Sequence, residues 1–211
     1  MLPISPPLLS GSSYRKLRIG LLGGSFNPAH EGHLHISQLA LKNMKLDAVW
    51  WLVSPQNPLK SDKGMASFAQ RFEGAKLLTR DCPNIIVSDM EGKLGTRFTA
   101  DTLKQLTRRF PRTRFIWMMG ADNLIQIPRW QRWHEIFKLC DVAVYRRPPY
   151  AVGVLRGKAA QRFYKNRIPP SKAKQLGTHN FTTSTSKKWI LFSNRLNSES
   201  ATQIRNRTKG K

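Results

Sequence analysis

The chain has 211 residues, an apolar fraction of 40% and a formal net charge of +24. Its size supports one globular domain with a buried core, and its longest apolar runs fall well short of the ~20 residues needed to span a bilayer. Cys82 and Cys140 fit no disulfide framework and no metal-ligand spacing, so nothing points to secretion, and a soluble cytoplasmic protein without a membrane partner is expected.

Residues 1–16 are rich in Pro and Ser and lack a charged leader or a sustained apolar stretch, which predicts a loose tail before a single domain over 17–211. Residues 17–22 read as a strand, and 31–43 as a helix with Ile36, Leu39 and Ala40 at helical spacing. The apolar run 48–53 is a second strand, closed by Ser54 and Pro55. A helix over 68–78, a short strand over 85–87, a helix over 102–109 and a strongly apolar strand over 114–119 follow. A helix over 130–139 leads into a strand over 141–145. This βαβα order predicts an α/β fold, a Rossmann-like doubly wound parallel sheet with helices on both faces. Ligands of such sheets sit beyond the carboxyl ends of the strands. Trp50, Trp51, Trp117 and Trp189 fall in strands and are expected in the core.

Residues 146–188 break the alternation with Pro148-Pro149, Pro169-Pro170 and a polar run over 182–186. They predict a partly irregular basic segment with one helix near 154–164. A strand over 189–192 and a short helix over 201–206 close the pattern. The charge is uneven: from Arg146 to Lys211 there are sixteen Lys or Arg and a single acid, Glu199. That asymmetry points either to weak, nonspecific polyanion binding or to a solvated basic surface.

The chemistry concentrates after the first strand, in Gly23-Gly24-Ser25-Phe26-Asn27-Pro28-Ala29-His30-Glu31-Gly32-His33. Glycines let the backbone approach a bulky anion. A helix start offers N–H groups and positive partial charge to phosphate. His30 and His33, three apart, share one face of the first turn, where imidazoles donate to phosphate oxygens and gain from partial protonation. The plainer reading is a pair of capping histidines with no ligand. A Walker A loop lacks its Lys-Ser/Thr here, and the dinucleotide GxGxxG spacing is absent. Zinc on His30, His33 and His35 lacks the HExxH spacing, so no metal ligand is assigned.

The stretch from Gly24 to His33 resembles the GxFxPxHxGH signature of the nucleotidyltransferase superfamily. Within it, the chain looks like the bacterial nicotinate-mononucleotide adenylyltransferases. Further segments match in order over about 17–205. Ser54-Pro55-Gln56-Asn57-Pro58-Leu59-Lys60 resembles the loop after the second strand, and Phe98 to Leu103 the family's (Y/F)TxDTL. Gly120-Ala121-Asp122-Asn123-Leu124 resembles GADxL, Pro128-Arg129-Trp130 resembles P(K/R)W, and Ser200 to Arg205 is similar to SSTxIR, with Ala201 in place of its middle Ser.

The resemblance implies transfer of the adenylyl group of ATP to nicotinate mononucleotide, giving nicotinate adenine dinucleotide and pyrophosphate. The attacking phosphate oxygen is already anionic, so no general base is required; positioning and charge neutralisation are. His30, His33 and Arg205 would carry the reaction. Gly23, Gly24, Ser25, Phe26, Lys60, Gly120, Asp122, Ser200 and Thr202 would hold ATP, with Arg suited by its planar fork. Thr99 and Trp130 would hold the nicotinate mononucleotide, the helix start facing its carboxylate and the indole stacking on its ring. Mg²⁺ would enter bound to ATP phosphates. Thr99 also suits an N-cap of the 102–109 helix, Asp122 a cap before Asn123, and Trp130 a core position. The rivals are a sister enzyme using nicotinamide mononucleotide or pantetheine phosphate, and a basic nucleic-acid-binding protein on the same fold.

Overall fold

A computed structural model describes residues 16–55, 64–146, 153–178 and 187–193. The first strand, β1 (Arg18–Gly24), runs into helix α1 (Glu31–Met44), then β2 (Ala48–Val53), α2 (Phe68–Thr79) and β3 (Ile85–Ser88). After α3 (Met90–Lys93) and α4 (Thr99–Arg109) come β4 (Arg114–Gly120), α5 (Ala121–Gln126), α6 (Trp133–Leu139) and β5 (Asp141–Tyr145). Last in the described chain are α7 (Lys158–Arg162) and β6 (Trp189–Phe192).

All five strand pairings are parallel, and the order is β3-β2-β1-β4-β5-β6. The doubly wound expectation holds. The strands read as continuous apolar runs because both faces are covered, as parallel sheets require; every residue of β2 is buried. One face packs against α1 and α2 through Ile36, Ala40, Met44 and Ala75. The other packs against α4, α5, α6 and α7 through Leu103, Leu106, Leu124 and Ile136. Trp50, Trp51, Trp117 and Trp189 are each at most 2% exposed, so all four are core residues as expected. Among the described residues no helix is long and apolar enough to cross a membrane.

Three boundaries differ from the sequence reading. Helix α4 begins at Thr99, three residues early, with Phe98 at its N-cap and no side-chain cap, so Thr99 is the first helical residue and not a cap. The helix expected over 130–139 begins only at Trp133, after a 3₁₀ turn over Ile127–Arg129, because Arg132 adopts a left-handed φ of 49°. The 154–164 helix is broken into 3₁₀ turns flanking α7. The short α3 was not foreseen, and α5 begins at Ala121, two residues before the Asn123 start that goes with Asp122 as a cap.

The amino end of the sheet is closed by the basic segment. The buried Asp141 carboxylate accepts from Gly177 N at 2.6 Å and Lys188 N at 2.7 Å. Arg18 donates to the carbonyls of Lys174 and Leu176. These bonds carry the segment back under the sheet and into β6.

Candidate active site

The order of strands places the reversal of the fold between β1 and β4, where a crevice opens at the carboxyl ends. Both strands end in glycine there, Gly24 and Gly120. The two glycines that end β1 do different jobs. A Cβ at Gly23 would collide with the indole of Trp117 on β4, so its bareness serves the core. A Cβ at Gly24 would meet only the Phe26 ring, at 3.5 Å, leaving the outer side of the turn open.

The Phe26 ring is taken up by the core. Its side chain is 2% exposed and its ring stacks on Trp51 at 5.0 Å. A bulky residue at φ 47° is uncommon and costs about 1–3 kcal/mol unless its surroundings hold it. Burial of the ring supplies that hold, so Phe26 shapes the turn from below. The Asn27–Pro28 peptide is cis, and the chain then enters α1.

His30 is the N-cap of α1. Its Nδ1 accepts from Gly32 N at 3.1 Å, while His33 Nδ1 accepts from His30 N at 3.3 Å, a reciprocal capping box made of two imidazoles. The rings lie 3.9 Å apart. His33 also packs 4.8 Å from Phe26 and 5.8 Å from Trp51. The capping role and the ligand role are therefore not alternatives. A ring nitrogen that accepts from a backbone N–H carries no proton, so the hydrogen bonds assign the proton of each neutral ring to Nε2. Each histidine is thereby set as a donor in a fixed direction.

Gly120 is the N-cap of α5, and Asp122 is the second residue of that helix, not its cap. The Asp122 carboxylate folds back over Gly120, where any Cβ would strike it. Across the crevice, the first turn of α4 carries Thr99 and Asp101. Asp101 pairs with Arg132, two residues beyond Trp130. That ion pair ties the α4 start to the turn bearing Trp130 and offsets the acid's charge. Trp130 is half-buried against the core, whereas Trp133 packs edge-on to Phe137 and Phe163. Lys60, Ser200, Thr202 and Arg205, with the expected helix over 201–206, lie outside the described residues.

Sequence reasoning missed four polar side chains around this crevice. Arg71 donates to carbonyls of Ser25, Ser54, Pro55 and Ala66. Asn27 donates to Gly64 O and accepts from Ala66 N, both at 3.2 Å. Arg132 is the partner of Asp101 described above. Glu91 lies under Ser54 and Thr102; burial pushes its carboxyl up to about 7, against hydrogen bonds from those two hydroxyls that pull it down. A usable signal existed for Arg71: it precedes Ala75 and Thr79 by four and eight positions, on the buried stripe of α2. Farther along the same edge, a cavity of about 630 Å³ opens beside β5 and β6, lined by Arg146, Arg156, Arg167, Val154, Leu155 and Leu191.

Residues 21–207 match the cytidylyltransferase-like family. A probable nicotinate-nucleotide adenylyltransferase of Parvibaculum lavamentivorans is 59% identical over 68% of this chain and 71% of its own length. One from Caulobacter sp. is 44% identical over 92% of this chain and 100% of its own. The fold is also that of the Plasmodium falciparum nicotinic acid mononucleotide adenylyltransferase solved with NaAD, with a TM-score of 0.67 at 16% identity over 90% of this chain and 83% of that one.

Proposed function

The chain belongs to the cytidylyltransferase-like family, and we propose that its crevice joins the adenylyl group of ATP to nicotinate mononucleotide. This is the nicotinate-nucleotide adenylyltransferase reaction of NAD biosynthesis, and close relatives of this chain carry that name. The observation that carries the site assignment is the imidazole pair of His30 and His33, whose caps fix two Nε2 donors at the turn after β1.

An oxygen of the nicotinate mononucleotide 5′-phosphate attacks the α-phosphorus of ATP. The bond from that phosphorus to the bridging oxygen breaks, and pyrophosphate leaves with the electron pair. The attacking oxygen brings its own charge, so the protein supplies alignment and donors for charge that develops on the transferred and leaving groups. His30 and His33 donate to phosphate oxygens, with the amides of the Gly24–Ser25 turn beside them. Asp122 accepts from the nucleoside half of ATP near Gly120. Lys60 and Arg205, preceded by Ser200 and Thr202, serve the β- and γ-phosphates. Among the described residues no three acid, His or Cys side chains converge as a metal cage, and this donor set suits Mg²⁺ held by phosphate oxygens and water. When bound, that ion neutralises phosphate charge.

On the acceptor side, the first turn of α4 at Thr99 faces the carboxylate and Trp130 stacks on the pyridine ring. Pairing with Arg132 keeps Asp101 from opposing a bound anion. An amide in place of the carboxylate turns an NH₂ group toward donors, at ~1–3 kcal/mol per mismatched donor. Pyrophosphate release measured against a panel of mononucleotides tests this. The expected preference for nicotinate over nicotinamide mononucleotide is at least ~10²-fold in kcat/KM; equal rates would move the assignment to a dual-specificity enzyme.

Residues 17–211 act as one domain in this reading. A second activity rests on its basic segment. Over residues 153–178 there are seven Lys or Arg and no acid, and all seven are exposed. We assign to this face weak, sequence-blind polyanion binding. Its RNA affinity should fall steeply with salt, and a lack of RNA binding at low salt would leave it a solvated surface.

A further inference from the structure

Arg71 is a base buried to 4% exposure, and among the described residues no acid forms an ion pair with it. Among the described residues its hydrogen bonds go to backbone oxygens. Nε donates to Ala66 at 3.0 Å, Nη1 to Ser25 at 2.6 Å and to Ser54 at 2.8 Å, and Nη2 to Pro55 at 2.8 Å. These oxygens belong to three separate stretches: the turn after β1, the exit from β2, and the chain entering α2. Asn27, on the same turn, bonds Gly64 O and Ala66 N. Ser54 N donates to Gly24 O at 2.9 Å. Both ends of the β2-to-α2 connection are therefore fastened to the turn that begins α1.

Burying a guanidinium among carbonyls is costly, and burial lowers the pKa of Arg71. A purely structural need would be met at less cost by an apolar side chain between α2 and the sheet. What only a planar fork supplies is a fixed separation of several acceptors at once. We propose that Arg71 is a positioning residue for adenylyl transfer, holding the Ser25 turn and the Ser54–Pro55 exit at the spacing the two reacting nucleotides require. This deepens the proposed function and rests on the turn being its phosphate-binding element. The Ser54 carbonyl held by Arg71 sits on the residue whose hydroxyl bonds Glu91, and Glu91 in turn bonds Thr102 of α4. The spacing set at Arg71 is thereby passed toward the helix assigned to the acceptor.

The test compares the wild type with Arg71→Lys, which keeps the charge and loses the fork, and Arg71→Met, which loses both. Wild-type pyrophosphate release with ATP and nicotinate mononucleotide is measured first; its absence would overturn the proposed function and this proposal with it, whereas the variants overturn this proposal alone. Given wild-type turnover, Arg71→Lys should lower kcat by at least ~30-fold per folded molecule while KM for ATP moves less than ~3-fold. Arg71→Met should be no better than Arg71→Lys even where its melting temperature is the higher of the two. Residues fixed only for stability would instead track melting temperature, and a kcat within threefold of wild type in either folded variant overturns the proposal. A wild-type measurement guards against variants that fail to fold: a non-hydrolysable ATP analogue should slow hydrogen exchange at Gly64–Ala66 together with Gly24–Asn27. Slowing at Gly24–Asn27 alone overturns the coupling.

Discussion

Arg71 and Asp141 are buried opposite charges at opposite ends of one sheet, and each is solvated by backbone. At the carboxyl end the cation gathers four carbonyls. At the amino end the carboxylate gathers the amides of Gly177 and Lys188. The sign at each end suits what lies there. A guanidinium beneath the turn proposed to bind phosphate adds to a field that attracts an anion. A carboxylate beneath the cationic segment anchors a stretch whose own charges repel one another, and its field also favours the Arg18 cation nearby. The lesson is a division of labour: changes at the carboxyl end should cost turnover, and changes at the amino end should cost stability.

The strongest break of that division is His33→Ala. It should lower kcat at least ~10²-fold by removing a fixed donor, while loss of the capping box costs only about 1 kcal/mol in urea unfolding. Near-normal turnover in the folded variant would remove His33 from the chemistry. At the other end, Asp141→Ala strands two buried amides and should cost about 2–3 kcal/mol in urea unfolding, while kcat of the folded fraction is unchanged. A matching loss of kcat would mean the two ends are coupled.

Glu91 sharpens the comparison because it lies at the carboxyl end yet carries a stability cost. Its carboxyl is raised from 4.5 to about 7 by burial, so between those values the folded chain holds a proton the unfolded chain has released. Stability from this group is full below about 4.5 and falls as pH rises to about 7, then levels. Glu91→Gln should therefore stabilise by about 1–2 kcal/mol at pH 8 and by almost nothing at pH 4. Equal effects at both pH values would show that the carboxyl does not titrate there. The smallest effect is reserved for Trp130→Ala, which should raise KM for nicotinate mononucleotide ~10-fold, roughly 1 kcal/mol of stacking, and leave KM for ATP within about twofold. A parallel rise in both constants would assign Trp130 to the core.

The strands were readable in the sequence because a parallel sheet covered on both faces writes itself as apolar runs; residues 48–53, 141–145 and 189–192 coincide with β2, β5 and β6. Helix starts were less readable. Phe98 offers no capping side chain, so the search for a polar cap put the start of α4 too late. The break before α6 depends on a left-handed Arg132, which residue type does not announce. The histidine turn was legible as a motif, but the role of each residue in it was not. Gly23 is bare for Trp117 and Phe26 is buried on Trp51; both facts depend on strands far along the chain. Arg71 was overlooked because an arginine in a basic protein reads as surface, although its spacing to Ala75 and Thr79 put it on the buried stripe of α2.

The contact between Gly23 and Trp117 has a consequence for how this site would drift under selection. The two positions share one volume across β1 and β4, so neither can change size alone. Replacing Gly23 by Ala in the native background would abolish function by displacing the indole, and a mutational scan would score the position as if it touched ATP. In a background with Trp117→Leu the same Ala should be accepted. Lineages descended from this chain would then trade bulk between positions 23 and 117, small with large and larger with smaller, while His30 and His33 stay as they are.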